Sequence, residues 1–241
     1  MKNSEPQLYS EMQSLGSKSS NAESGSESSA QLRERLVEIT WDTVAAFLPK
    51  AGGTVDSVLE RKMIAIAQSC LHRPECSLLD VGCGTGSVLK FLDDCEHAAG
   101  EYHGIDISGN MIESAKSQHP GVLFEKANFL QLPVGEGCKK YDTILFNGSI
   151  QFFVNQQEVI RHAKSLLHPA GRIVITHANG EEFVRQEQAG NRFLVPSLLP
   201  STDFLEEIAI KNGLVVMERD GTDSSLNDPA SFYLQVLADS E

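Results

Sequence analysis

The chain has 241 residues, with 20 Lys and Arg against 33 Asp and Glu, a formal net charge of −13. The length suits one ordinary globular unit with a core that needs no staples. The acidity excludes a generic phosphate-backbone binder and argues against docking on an anionic membrane. It is unevenly spread: residues 178–241 hold 4 basic and 12 acidic residues, whereas 70–177 hold 9 and 12. No apolar run reaches membrane-spanning length, and no signal-peptide core follows Met1. Five cysteines, an odd number in apolar or motif surroundings, suit reduced thiols in a cytosol-like compartment. The expected location is therefore cytoplasmic.

Residues 1–30 contain ten serines and no periodicity, and are read as a disordered tail. Four glutamates and no arginine before Arg33 count against an organelle transit peptide. From Gln31 to Leu48 apolar residues recur at helical spacing until Pro49, Gly52 and Gly53 break it. A second helix is expected over 55–69. Together 31–72 form an expected N-terminal helical cap before a main domain over 73–241. Trp41 is read as a core or docking aromatic rather than a substrate contact.

After Pro74 strands and helices alternate. Strands are expected at 77–82, 102–107, 122–126, 141–147 and 171–177, and helices at 86–95, 108–117 and 155–167. This order indicates βαβ units and a parallel sheet. A helix over 203–212 then precedes strands 214–219 and 231–238, joined with no helix between, so they should form an antiparallel hairpin.

The strongest signal is Leu78-Leu79-Asp80-Val81-Gly82-Cys83-Gly84-Thr85-Gly86. Alternate glycines permit a tight turn and close backbone approach to a ligand. A dinucleotide site spaces its glycines G-x-G-x-x-G around a pyrophosphate. Here the spacing is G-x-G-x-G, and Asp80 would repel a phosphate but suit an ammonium group. Asp106 ends the next strand, where a carboxylate can accept two ribose hydroxyls. Asn128 and Phe129 follow the third strand, where an amide and an apolar ring can read and pack an adenine. The implied ligand carries adenosine and an amino acid, and no phosphate.

These residues resemble a class I S-adenosylmethionine (SAM)-dependent methyltransferase. Asp80 to Gly86 matches that family's first motif and Tyr102 to Met111 its second. Asn128 stands where Asp is commoner, and Leu166 to Gly171 is similar to the turn into strand five, with Ala170 replacing a glycine. The resemblance implies an α/β, Rossmann-like sheet of seven strands, order 3-2-1-4-5-7-6, with strand 7 antiparallel. It implies SAM as cofactor, held by Asp80, Gly82, Cys83, Gly84, Gly86, Asp106, Ile107, Met111, Asn128, Phe129, Asn147 and Gly148. The segment Phe146 to Phe153 lacks the Pro-Pro tetrad of amino-methylating DNA and protein-glutamine enzymes. It is similar to small-molecule methyltransferases of the ubiquinone and trans-aconitate type. Ser149, Gln151, Phe152 and Asn179 are the expected acceptor contacts, with the N-terminal helices 31–69 and segment 181–202 as the expected cover. His177 is a candidate base, or alternatively a structural histidine that caps the next helix.

The expected partner is a small-molecule acceptor, with no nucleic acid and no membrane. A protein methyltransferase and a non-catalytic SAM-binding scaffold are the alternatives. Cys70, His72 and Cys76 lack a fourth ligand, so no metal site is expected.

Overall fold

The computed structural model describes residues 28–47, 56–93, 95–97, 99–218 and 226–239. Most of the expected tail 1–30 lies outside them. Its last residues are corrected: Ser28 caps helix α1 (Ser29–Ala45), its side chain accepting from the Gln31 N–H while the Gln31 side chain reaches back to the cap. Such a box satisfies two backbone donors that the first turn leaves free. Helix α2 (Ser57–Cys70) is capped by Asp56, whose side chain accepts the Val58 N–H.

The central sheet has seven strands in the order β3-β2-β1-β4-β5-β7-β6. They are β1 (Cys76–Val81), β2 (Ala99–Asp106), β3 (Leu123–Lys126), β4 (Tyr141–Asn147), β5 (Leu167–His177), β6 (Leu214–Val216) and β7 (Tyr233–Asp239). All neighbouring pairs are parallel except β5–β7 and β6–β7. The strand order and the terminal hairpin agree with expectation, although β6 is three residues shorter than read.

Helices α3 (Leu89–Leu92), α4 (Gly109–Gln118), α5 (Gln156–Leu166), α6 (Gly180–Gly190) and α7 (Thr202–Lys211) complete the described fold. Buried apolar residues divide into two clusters across the sheet. One joins α2, α3 and α4 to β1, through Met63, Ile66, Phe91, Ile112 and Leu78. The other joins α5, α6 and α7 to β4 and β5, through Val159, Ile160, Val184, Leu205, Ile144 and Ile173. Buried Val159, Ile160, Ala163 and Leu166 recur at helical spacing on α5, which fixes its inner face.

Three further corrections concern local structure. The helix read over 86–95 is only the single turn Leu89–Leu92. Gly86 sits at φ +78°, and the bonds Gly86 N–H to Cys83 O and Leu89 N–H to Gly86 O close tight turns where an α-helix would otherwise start. Residues 181–190, the start of the segment read as a cover, belong to helix α6. The 31–72 region does not act as one cap. Met63, Ile66, Ala67 and Cys70 of α2 are buried in the core, whereas α1 lies across the strand ends. Ala170 takes φ +59° where the resembling family places glycine, a conformation that costs a non-glycine residue about 1–2 kcal/mol.

Candidate active site

A cavity of about 610 Å³ opens at the C-terminal ends of β1, β2 and β4. This is where ligands sit in open α/β sheets, and the volume lies in the usual range for small-molecule sites. Its floor is the β1–α3 turn. Its sides come from the segments after β2, β3 and β4, and its roof from α1.

The floor is built around one carboxylate. Asp80 is 3 % exposed, and its Oδ2 accepts the Tyr102 hydroxyl at 2.6 Å. Among the described residues its Oδ1 has no hydrogen-bond partner, although Asp80 lines the cavity. Burial pushes this carboxyl up to about 7; the Tyr102 hydrogen bond opposes the rise and the Asp106 charge adds to it. A buried acceptor with an empty lone pair and no cation beside it fits a ligand ammonium.

The glycine turn follows directly. Gly82 takes φ +71°, and a Cβ there would lie 2.6 Å from the Ser149 Cβ. Ser149 in turn donates its hydroxyl to Val81 O at 2.6 Å, so the turn and the segment after β4 are locked together. A Cβ on Gly84 would meet nothing within 4 Å, which leaves the cavity free beside it.

Asp106 anchors the next wall. Its two oxygens accept the Gly84 N–H at 3.0 Å and the Ser108 N–H at 2.8 Å, tying the glycine turn to the start of α4. Burial raises this carboxyl while those amide bonds lower it. Each oxygen keeps acceptor capacity for a further donor. Helix α1 is bolted to the same place. Asp42 accepts the Ser108 hydroxyl at 2.6 Å and the Asn110 N–H at 3.1 Å, and Glu38 pairs with Lys126 at 2.5 Å.

Of the residues named from sequence, Asp80, Gly82, Cys83, Gly84, Asp106, Ile107, Met111, Asn128, Phe129, Asn147, Gly148, Ser149 and Phe152 all line this cavity. Asn128 Oδ1 accepts the Leu130 N–H, and Asn147 Oδ1 accepts the Thr176 hydroxyl, which fixes both side chains. Gly86 stands back from the cavity, against Phe124, His119 and Leu89. Gln151 is 1 % exposed and turns inward, its amide donating to Gly148 O. Asn179 starts α6 without a side-chain cap bond and lies outside the lining. No residue of segment 181–202 lines the cavity either. Leu194, Val195 and Leu199 are buried in the core, and Ser197 ties that segment to Phe153 and Gln151.

His177 also lies outside the lining. Its ring packs on Phe183 with centroids 5.5 Å apart, and its Nδ1 accepts the Asn179 N–H. Burial, then the Lys62 charge, lowers it to about 4. It thus holds the β5–α6 turn as a neutral ring. The unfolded histidine takes up a proton near 6.5 and the folded one only near 4. Stability is therefore full above 6.5 and falls as pH drops through this window, by about 3 kcal/mol. His177→Gln is expected to flatten that acid limb in urea melts between pH 7.5 and 4.5. A hundredfold loss of turnover at pH 7.5 would instead restore the base assignment.

Sequence reasoning expected the N-terminal helices over the acceptor but named none of the residues that reach it. Arg33, Glu34, Val37 and Trp41 of α1 reach the cavity, as do Phe153, Asn155 and Glu158. Trp41 meets Phe152 edge-on at 5.5 Å, so the aromatic read as core or docking is a wall. Tyr102 was also missed as a partner of Asp80. The parallel register Asp80↔Gly104 places Tyr102 and Asp106 two positions either side of Gly104, on one sheet face.

The methyltransferase-domain family model matches residues 72–212. An uncharacterised 37.1 kDa protein in transposon TN4556 of Streptomyces fradiae is 29 % identical over 154 residues, 61 % of this chain and 43 % of that one. The chain thus spans less than half the length of that relative. The ubiquinone/menaquinone biosynthesis C-methyltransferase of Campylobacter jejuni is 24 % identical over 184 residues, 71 % and 75 % of the two chains. Among solved structures, magnesium protoporphyrin IX methyltransferase from Synechocystis with bound SAM shares the fold. Its TM-score is 0.60 at 16 % identity, over 91 % of this chain and 100 % of that one. No described helix is long and apolar enough to cross a membrane, and no described group of three or more His, Cys, Asp or Glu could hold a metal ion. The chain belongs to the methyltransferase-domain family, as a SAM-dependent enzyme of the class I fold.

Proposed function

We propose that the enzyme methylates a small-molecule acceptor held under α1, at the Trp41–Phe152 end of the cavity. The observation that carries this reading is the roof itself. Val37, Trp41, Phe152 and Phe153 make an apolar compartment beside the polar Asp80–Asp106 floor, within one cavity of about 610 Å³. A folded protein surface or a duplex could not enter beneath a helix clamped by Asp42 and Glu38. The name of the Campylobacter jejuni relative, a C-methyltransferase of ubiquinone and menaquinone biosynthesis, points to the same size class.

In this reading Asp80 Oδ1 receives the cofactor's amino group and Asp106 its ribose hydroxyls. Asn128 faces the adenine amino edge, with Phe129 behind it. Asn147 and Gly148 flank the methionine end. The cofactor supplies a methyl group on a sulfonium, which an acceptor takes by direct displacement. The chain's contribution is then positioning and exclusion of water, which by itself can carry a large rate effect. The region 73–241 forms the methyltransferase domain, with α1 added as its roof.

The test is transfer of labelled methyl from SAM into metabolite fractions, with products identified by mass. Label should appear in a small molecule. Label found only in protein or nucleic acid overturns the acceptor class, and no transfer to any fraction favours a scaffold. Trp41→Ala should raise the acceptor KM about tenfold, as loss of an edge-on aromatic wall implies, with cofactor affinity within about twofold of the parent.

A further inference from the structure

The Tyr102–Asp80 pair lies beneath the glycine turn and has no role so far beyond shaping the floor. Three observations single it out. Asp80 is almost wholly buried, yet Oδ1 is unpartnered and the residue lines the cavity. Its one hydrogen bond comes from a phenol that is itself 8 % exposed, at 2.6 Å. The titratable groups facing it are Tyr102 and Asp106 from β2, Cys83 from the turn and Cys70 from α2; none is a cation. From β4 the neighbour in register is Leu145, which brings no charge.

A carboxylate in such a place is poorly solvated, and a second acid nearby makes it worse. The cheapest state of the empty pocket keeps a proton on Asp80. Resting on the cofactor reading above, we propose that Tyr102 is a positioning residue that readies Asp80 for the cofactor, and that cofactor binding expels a proton from the pair. A ligand ammonium at Oδ1 supplies the missing counter-charge. The phenol hydrogen bond to Oδ2 stabilises the ionised form and holds the carboxylate plane in one orientation. The balance is simple: Asp80 loses one proton to solvent, one ammonium–carboxylate contact forms, and the Tyr102 O–H is retained.

Gly104 makes the arrangement sterically possible. A Cβ there would fall 2.6 Å from Phe124 and 2.9 Å from the Cys83 sulfur. The face between Tyr102 and Asp106 must be empty for the glycine turn to close over it. The Tyr102 ring also packs edge-on to Phe124, with centroids 5.7 Å apart, a contact that phenylalanine would keep.

The experiment uses the full chain and S-adenosylhomocysteine, which carries the same amino-acid end without a transferable methyl. Affinity is measured by calorimetry from pH 5.5 to 9, in two buffers of different ionisation enthalpy. Below a midpoint near 7, affinity should rise up to tenfold per pH unit, with close to one proton released per ligand bound at pH 6. Tyr102→Phe should move the midpoint up by about one unit, so that affinity falls about fivefold at pH 7 and close to tenfold at pH 6, and recovers by pH 9. The ligand's own amine titrates identically in both proteins, so it does not enter the difference. Binding of 5′-methylthioadenosine, which lacks the amino-acid end, should be flat across this range in both. A uniform loss of affinity in Tyr102→Phe, with the profile unmoved, means mere packing and overturns the proposal. So does the absence of proton release by the parent, a readout that stands even if the variant does not fold. Either result leaves the cofactor reading intact provided the two nucleosides bind. If neither binds, that reading falls and this proposal with it.

Discussion

Asp106→Ala is expected to lose cofactor binding by at least a hundredfold and about 2–4 kcal/mol of stability with it. The two losses have one cause. Asp106 accepts backbone N–H groups from Gly84 and Ser108, and both would be left without an acceptor. A buried donor stripped of its partner costs about 1–3 kcal/mol, and alanine leaves room for water to soften that. The binding loss comes from the ribose diol, whose hydrogen bonds to a carboxylate are worth about 1.5–3 kcal/mol each. Calorimetry with S-adenosylhomocysteine and a urea melt measure the two losses separately. Asp106→Asn should be intermediate in both, since its one carbonyl oxygen replaces two acceptors. An Asp106→Ala protein that binds as tightly as the parent would show that the ribose does not lie there.

Asp80→Asn is expected to separate function from stability in the opposite way. The cofactor should bind at least a hundredfold more weakly, because an amide offers the ammonium no counter-charge. The empty protein should nevertheless be more stable at alkaline pH. In the folded chain Asp80 keeps its proton to about pH 7, against 3.8 for the ordinary group. Between those values the folded state binds more protons than the unfolded one, so the parent loses stability as pH rises and has lost it all above 7. The upper limit of that loss is about 4 kcal/mol. Asparagine carries no such proton. Thermal melts should therefore show the variant above the parent at pH 8.5, with the gap closing as pH falls towards 4. Equal melting curves at both pH values would mean that the carboxylate is better solvated than its surroundings indicate.

The part of the cavity lining that was legible from sequence is the glycine turn and the strand ends beside it, and the reason is local. Asp80, Gly82 and Gly84 are within five residues of one another, and their backbone requirements follow from one tight turn. Asp106 and Asn128 each stand at or just past a strand end, so strand recognition alone placed them at one edge of the sheet. The helix after the glycine turn was overread. Period and propensity favoured a helix from residue 86, but Gly86 in a left-handed conformation turns the chain first, and only Leu89–Leu92 remains. The acceptor half was read less well. His177, Gln151 and Asn179 were chosen because they stand at or after strand ends, yet the His177 and Gln151 side chains bond the chain itself and Asn179 lies outside the lining. Position beside a strand end places a backbone; it does not decide which way the side chain turns.

The strand order followed from the family resemblance; the sequence by itself determined the parallel sheet, the terminal hairpin and the chemistry of the ligand. Each depends on residues close in the chain, or on an alternation of strands and helices that has few right-handed solutions. The tertiary structure alone decided which residues close the cavity. Helix α1 was expected in a cap, but nothing in its pattern shows which residues it meets. It is set over the strand ends by Asp42 on Ser108 and Asn110, and by Glu38 on Lys126, across 66 to 88 residues of chain. The tertiary fold likewise joined Tyr102 to Asp80, 22 residues apart, through the register of two parallel strands. Contacts of that span are fixed only when the whole sheet has formed, because the backbone between them carries no trace of the pairing.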